Sequence, residues 1–107
     1  MKIRISDQSI RVRLSHAEAL QVSNGQSVNT TLRLNAIDSF EIVLHSWHLD
    51  IGEVHEEPGR LLISMPAEAA QRLSTERDYR FTAQQNTDSV QPLVIAIEID
   101  LQKIPHA

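Results

Sequence analysis

The chain has 107 residues, 41 % of them hydrophobic and 22 % charged, with a formal charge of −4. That is the size and make-up of one folded domain spanning residues 1–107, with no need of a metal or disulfide to fold. The lack of cysteine excludes disulfides, thiol chemistry and cysteine zinc sites.

The acidic balance, with Phe40, Trp47, Tyr79 and Phe81 as the whole aromatic complement, argues against a nucleic-acid partner. No run nears the roughly 20 apolar residues of a membrane-spanning helix. The opening Met1-Lys2-Ile3-Arg4 carries no hydrophobic leader, so the expectation is a cytoplasmic protein with no membrane contact.

Residues 2–5 (Lys-Ile-Arg-Ile) and 10–14 (Ile-Arg-Val-Arg-Leu) alternate at a period of two, and Ser6-Asp7-Gln8-Ser9 between them suits a tight hairpin. Ser15-His16-Ala17-Glu18 is a capping-box pattern, which predicts a short helix over 16–23 ending at Asn24-Gly25. Alternation resumes over 27–34, Ala36-Ile37-Asp38 reads as a turn, and 40–49 reads as a long strand in the sheet interior, apolar on both faces. The stretch from Gly52 to Gly59 is the most loop-like.

Leu61, Ile63 and Met65 begin another strand, and Pro66 at a helix N1 position opens a second short helix to Leu73. Glu18 and Glu68 are both placed at N3, as caps. Tyr79, Phe81 and Ala83 alternate in a further strand, and the last strand covers 92–101, with Ile97, Ile99 and Leu101 opposite Glu98 and Asp100.

The pattern defines an α+β fold: a strongly curved, mostly antiparallel sheet of about seven strands, closing partway into a barrel, with two short helices. The expected interior is Ile3, Ile5, Ile10, Val12, Leu14, Leu32, Ile63, Phe81, Ile95, Ile97 and Ile99. Strand, helix and strand recur at 10–34 and 61–83. Ala17-Glu18-Ala19 and Gln21 match Ala67-Glu68-Ala69 and Gln71 at an offset of 50, whereas the strand faces match at 51, so a duplication would need a one-residue slip.

At its ends the chain resembles a family of short, uncharacterised bacterial proteins. The resemblance rests on the opening Lys-Ile-Arg-Ile, on Ser-Ile-Arg-Val-Arg-Leu-Ser at 9–15 followed by Glu18, on Met65-Pro66, and on Ile97-Glu98-Ile99-Asp100-Leu101. That family's last strand typically carries Glu-Lys-Asp-Phe and then Cys. Here Ile99 stands at the Lys position and Leu101 at the Phe position, and no Cys follows. The resemblance implies a fold and brings no assigned activity.

Three constellations carry candidate chemistry. Lys2, Arg4, Arg11 and Arg13 share a strand face, where neighbouring guanidiniums can fork a carboxylate or phosphate. The preferred reading is a solvated face neutralised by Glu98 and Asp100, since opposite cross-strand charges contribute roughly 0.2–1 kcal/mol to register without a ligand. Arg4, Arg11 and Arg13 are the candidate anion-binding set.

His45 and His48 lie three apart in a strand and point to opposite faces, so with His55, Glu53, Glu56 and Glu57 they form no convergent metal site. Glu98 and Asp100 share a face as an acid–base pair would, but the arginines opposite them indicate salt bridges. Three glycines leave no phosphate loop, and no nucleophile constellation or cofactor motif is present.

The expectation is therefore a non-catalytic interaction or assembly module that binds a protein partner or itself, joined through a sheet edge or the Trp47 surface. The alternative is a binder of, or enzyme on, a small phosphate or carboxylate, using the Arg face.

Overall fold

Alternation at both ends of the chain makes strands, and the way those strands find partners organises the molecule. The computed structural model describes residues 1–48, 50–76, 78–88 and 90–100. In chain order the elements are β1 (Lys2–Ser6), β2 (Ser9–Leu14), α1 (His16–Ser23), β3 (Val28–Arg33), β4 (Ser39–Trp47), β5 (Glu53–Glu57), β6 (Arg60–Pro66), α2 (Ala67–Thr75), β7 (Arg80–Gln85) and β8 (Leu93–Ile99).

The strands form two four-stranded sheets, β1-β2-β8-β7 (sheet A) and β3-β4-β6-β5 (sheet B), rather than the one curved sheet of about seven strands expected. All four antiparallel pairs join chain neighbours, as short connections dictate. The central pairs, β2–β8 and β4–β6, are parallel and join strands that are not consecutive in the chain, so both sheets are mixed. Local pattern reports alternation, not partner, and therefore missed this division.

Exchanging the two halves of the chain exchanges the sheets: β1-β2-α1-β3-β4 maps onto β5-β6-α2-β7-β8. The cap residues Ser15 and Pro66, the buried strand ends Leu14 and Met65, and the buried helix positions Ala19 with Ala70 and Val22 with Leu73 all align at 51 residues. No slip is needed. The short Ala-Glu-Ala match at 50 is out of register with the repeat that the backbone defines.

The inner faces of both sheets and the packed pair α1 and α2 enclose one core. Val12, Leu14, Leu44, Ile63, Met65, Leu73, Ile95 and Ile97 are fully buried there, each such side chain contributing roughly 1.5–3 kcal/mol. Ile3 and Phe81 are half-buried against it. Ile5 and Leu32, expected in the interior, are 64 % and 61 % exposed. Both lie on edge strands, β1 and β3, so their core-facing sides sit at the margin of a sheet. Leu101, expected on the same face, lies outside the described residues, as does Leu49.

The two sheets do not close into a barrel. Side chains bridge the seams instead: the Gln85 amide donates to the Val54 carbonyl (3.0 Å) and accepts from the Val54 amide (2.6 Å), imitating a strand partner. On the other seam the Thr30 hydroxyl donates to the Met1 carbonyl at 3.1 Å.

Local signals explain most element ends. Asp7 adopts φ 51° in the first hairpin, and Gly25 (φ 85°) follows α1. Ser15 and Glu18 form the expected capping box, with the Ser15 hydroxyl accepting from the Glu18 amide and Glu18 Oε1 accepting from the Ser15 amide. Glu18 Oε2 also holds the Met1 ammonium at 2.5 Å. Burial pushes the Glu18 carboxyl up, but the hydrogen bonds from that ammonium and from Ser15 outweigh it, and the net shift is downward.

The second helix departs from expectation. Pro66 is its N-cap rather than N1, which places Glu68 at N2, and no side chain caps the end. The loop-like stretch after Gly52 contains strand β5, because Val54 turns inward and pairs with Ile63 despite its charged neighbours.

Gly52 itself is buried under the Phe81 ring. A Cβ there would stand 2.8 Å from Phe81 Cε2 and 3.2 Å from the Ser64 carbonyl oxygen. Gly52→Ala should therefore destabilise by roughly 1–3 kcal/mol in urea unfolding. Adding Phe81→Leu should restore part of that loss, which a double-mutant cycle reads directly; purely additive losses would place the cost elsewhere.

Candidate functional site

Because the inner residues of sheet A are Ile3, Val12, Ile97 and Phe81, the pleat turns their sequence neighbours outward. Register then sorts the outer face into rows across the sheet. One row runs Lys2, Arg13, Glu98, Arg80; the next runs Arg4, Arg11, Ala96, Thr82.

The first row is neutralised internally. Glu98 Oε1 lies 3.3 Å from the Nε of Arg11 and 3.3 Å from that of Arg13, while Oε2 lies 3.6 Å from Nε of Arg80. Lys2 Nζ reaches Oδ2 of Asp100 at 3.1 Å, and that carboxylate is buried. Glu98 thus pairs with the arginines and Asp100 with Lys2, so both carboxylates expected to neutralise the basic face are engaged as ion-pair partners.

The second row has no carboxylate. Arg4 and Arg11 face each other directly across β1 and β2, a like-charged pair of the kind that destabilises a sheet. Arg4 has no ion pair among the described residues. Beside this row an open groove of about 350 Å³ is lined by Arg4, Ser6, Arg11, Arg80, Val94 and Ala96, among others. A smaller recess of about 190 Å³ lies among Lys2, Arg4, Arg11 and Arg13.

Arg4, Arg11 and Arg13 are therefore brought onto one face, with Arg13 outside the larger groove. Arg80 takes a place there that sequence reasoning missed. The alternation at 79–83 already set Arg80 on a polar face, and pairing the last two strands as a hairpin would have put it opposite Glu98.

The equivalent face of sheet B carries different chemistry. At the position matching Glu98 stands His45, whose Nε2 shares a 2.6 Å hydrogen bond with the buried Ser64, its partner across the parallel pair β4–β6. Burial and the nearby Arg60 guanidinium hold the His45 pKa below its ordinary 6.5. Trp47 is 61 % exposed at the end of this face, with its ring centroid 6.3 Å from that of His45.

The glutamates here are partly spent locally, Glu53 on His55 (2.9 Å) and Glu57 on Arg60 (2.7 Å). Among the described residues no cluster of three or more His, Asp or Glu is placed to hold a metal ion. No helix among them is long and apolar enough to cross a membrane.

Fold and face together define a two-fold repeated α+β module with a cationic outer sheet surface. The chain belongs to the family of unknown function DUF7009, whose model matches residues 1–106. No curated protein and no solved structure matches it.

Two expectations follow from these contacts. Glu98→Gln leaves three guanidiniums without their shared anion and should cost roughly 1–3 kcal/mol in urea unfolding, a penalty that shrinks as salt is added. No penalty at low salt would mean that the cluster does not stabilise the fold. For His45, the lowered folded pKa means that the unfolded chain binds the proton first. Its contribution is complete above pH 6.5 and declines as pH falls below that value toward the folded pKa. His45→Asn should flatten that part of the stability profile between pH 7.5 and 5.5; an unchanged slope would assign it to other groups.

Proposed function

We propose that this chain is a small, one-domain, non-catalytic interaction module whose recognition surface is the outer face of sheet A, and that its partner is an acidic protein surface. The supporting observation is the concentration of charge. Lys2, Arg4, Arg11, Arg13 and Arg80 share that face with Glu98 and Asp100 as its carboxylates, on a chain whose formal charge is −4. Such a face steers an acidic partner and fixes its register. The bacterial and cytoplasmic setting expected from the sequence belongs to this reading. Self-association through the Trp47 end of sheet B is the other form that the module reading takes, motivated by the exposure of that indole.

Affinity capture with the immobilised protein, after nuclease treatment of the extract, tests the reading. A defined partner should be retained at low salt, eluted by high salt, and lost with Arg4→Glu and Arg11→Glu together. A partner retained by that variant and lost with Trp47→Ala would move recognition to sheet B, and sedimentation velocity of the two variants would show whether the partner is a second copy.

A second reading, binding of a small phosphate or carboxylate, is favoured by one specific observation: the groove beside the Arg4–Arg11 row, which has no carboxylate of its own and in which Arg4 has no ion pair among the described residues.

A further inference from the structure

We infer that the groove along the Arg4–Arg11 row is a binding site for a small organic anion, a phosphate monoester or carboxylate with a short apolar body. This deepens the second reading above and rests on the outer face of sheet A being a recognition surface.

An electrostatic imbalance separates the two rows of the outer face. In the row Lys2–Arg13–Glu98–Arg80 a carboxylate stands between cations, and Asp100 takes the lysine. One row further along the strands, the position equivalent to Glu98 in β8 is Ala96 and its neighbour in β7 is Thr82. Arg4 and Arg11 are therefore directly opposed, with no acid in their own row. A face built only for solubility or register gains nothing from opposing two guanidiniums; a face that receives an anion does.

The available donors fit the same ligand. Arg11 and Arg80 approach Glu98 through Nε, at 3.3 and 3.6 Å. Among the described residues no hydrogen bond occupies the terminal nitrogens of Arg4, Arg11 or Arg80. Three guanidiniums thus border one groove with their fork ends unspent, the geometry that suits bidentate contact with phosphate or carboxylate oxygens. Ser6 adds a hydroxyl donor to the lining.

The floor defines the rest of the ligand. Val94 and Ala96 line the groove, and Ala96 is buried although it lies on the outer face, outside the hydrophobic core. A longer side chain at that position would project into the space between Arg11 and Thr82. At about 350 Å³ the groove lies at the lower end of small-molecule sites, which suits a compact acid rather than a dinucleotide.

Thermal shift and calorimetry of the whole chain, at constant ionic strength set with sodium chloride, test the inference with inorganic phosphate, phenyl phosphate and benzoate as probes. The expected result is a saturable rise in Tm with phenyl phosphate or benzoate, exceeding that with inorganic phosphate because the apolar floor adds contact. Arg4→Gln should weaken binding about 10-fold or more while leaving the ligand-free Tm unchanged or raised, since it relieves like-charge repulsion. Ala96→Leu, which fills the floor, should abolish binding of phenyl phosphate. Lys2→Gln, in the neutralised row, should leave binding intact.

A flat response to all three probes overturns the site. So does equal weakening by Arg4→Gln and Lys2→Gln, which would describe diffuse attraction to the whole face. A fall in ligand-free Tm with Arg4→Gln removes the repulsion on which the inference stands. The partner-capture experiment is run without added anions, so loss of the groove and loss of the protein-binding face register separately.

Discussion

The parallel pairing of β2 with β8, and of β4 with β6, is the constraint on which the rest of the structure depends. Each sheet consists of one hairpin from each half of the chain, and the seam between the hairpins is the parallel pair. Without it the inner faces of two separate hairpins would have to bury Val12, Leu14, Ile63 and Met65 alone, and isolated hairpins are marginal in water. The helices follow from the same arrangement. Each leaves the buried end of a central strand, after Leu14 or Met65, and crosses the core before its chain passes to the other sheet.

Repetition of the backbone has not meant repetition of chemistry. At the equivalent central position sheet A carries Glu98 among arginines, and sheet B carries His45 bonded to Ser64. Both solutions join the two strands of a parallel pair through side chains on the outer face. One uses charge-assisted contacts, which ionic strength weakens. The other uses a hydrogen bond between a hydroxyl and an imidazole that burial and the nearby Arg60 guanidinium favour in its neutral form. The cationic character of the molecule is consequently confined to one of two geometrically matched faces.

What was legible in the sequence divides along a physical line. Strands and helices whose signals are local were readable: the β1–β2 hairpin from two alternating runs around Asp7, α1 from Ser15 and Glu18, β4 as an interior strand from its apolar residues on both faces. The face shared by Lys2, Arg4, Arg11 and Arg13 was readable for the same reason, since alternation fixes which side chains lie together. Partner choice was not. Nothing local to residues 9–14 states that they pair with residues 94–99 in parallel, and so one sheet was expected where there are two. The exposure of Ile5 and Leu32 depends on their strands being edges, which is again a property of the assembly. Glu53 to Glu57 was hidden by composition, because three charged residues of five mask the single inward Val54. Arg80 was missed because its place in the cluster requires β7 to pair with β8.

The two sheets are matched in space but not in the order in which a ribosome delivers them. Sheet B is built from strands that all fall between Val28 and Pro66, and its parallel pair links His45 to Ser64, 19 residues apart. Sheet A joins strands from opposite ends of the described chain, and its parallel pair links Arg13 to Glu98 across 85 residues. A nascent chain therefore exposes the apolar side of β2 until β8 emerges, while sheet B has its full complement of strands well before. The structural repeat thus conceals a temporal asymmetry: the strands of sheet B are all made before the last two strands of the cationic sheet.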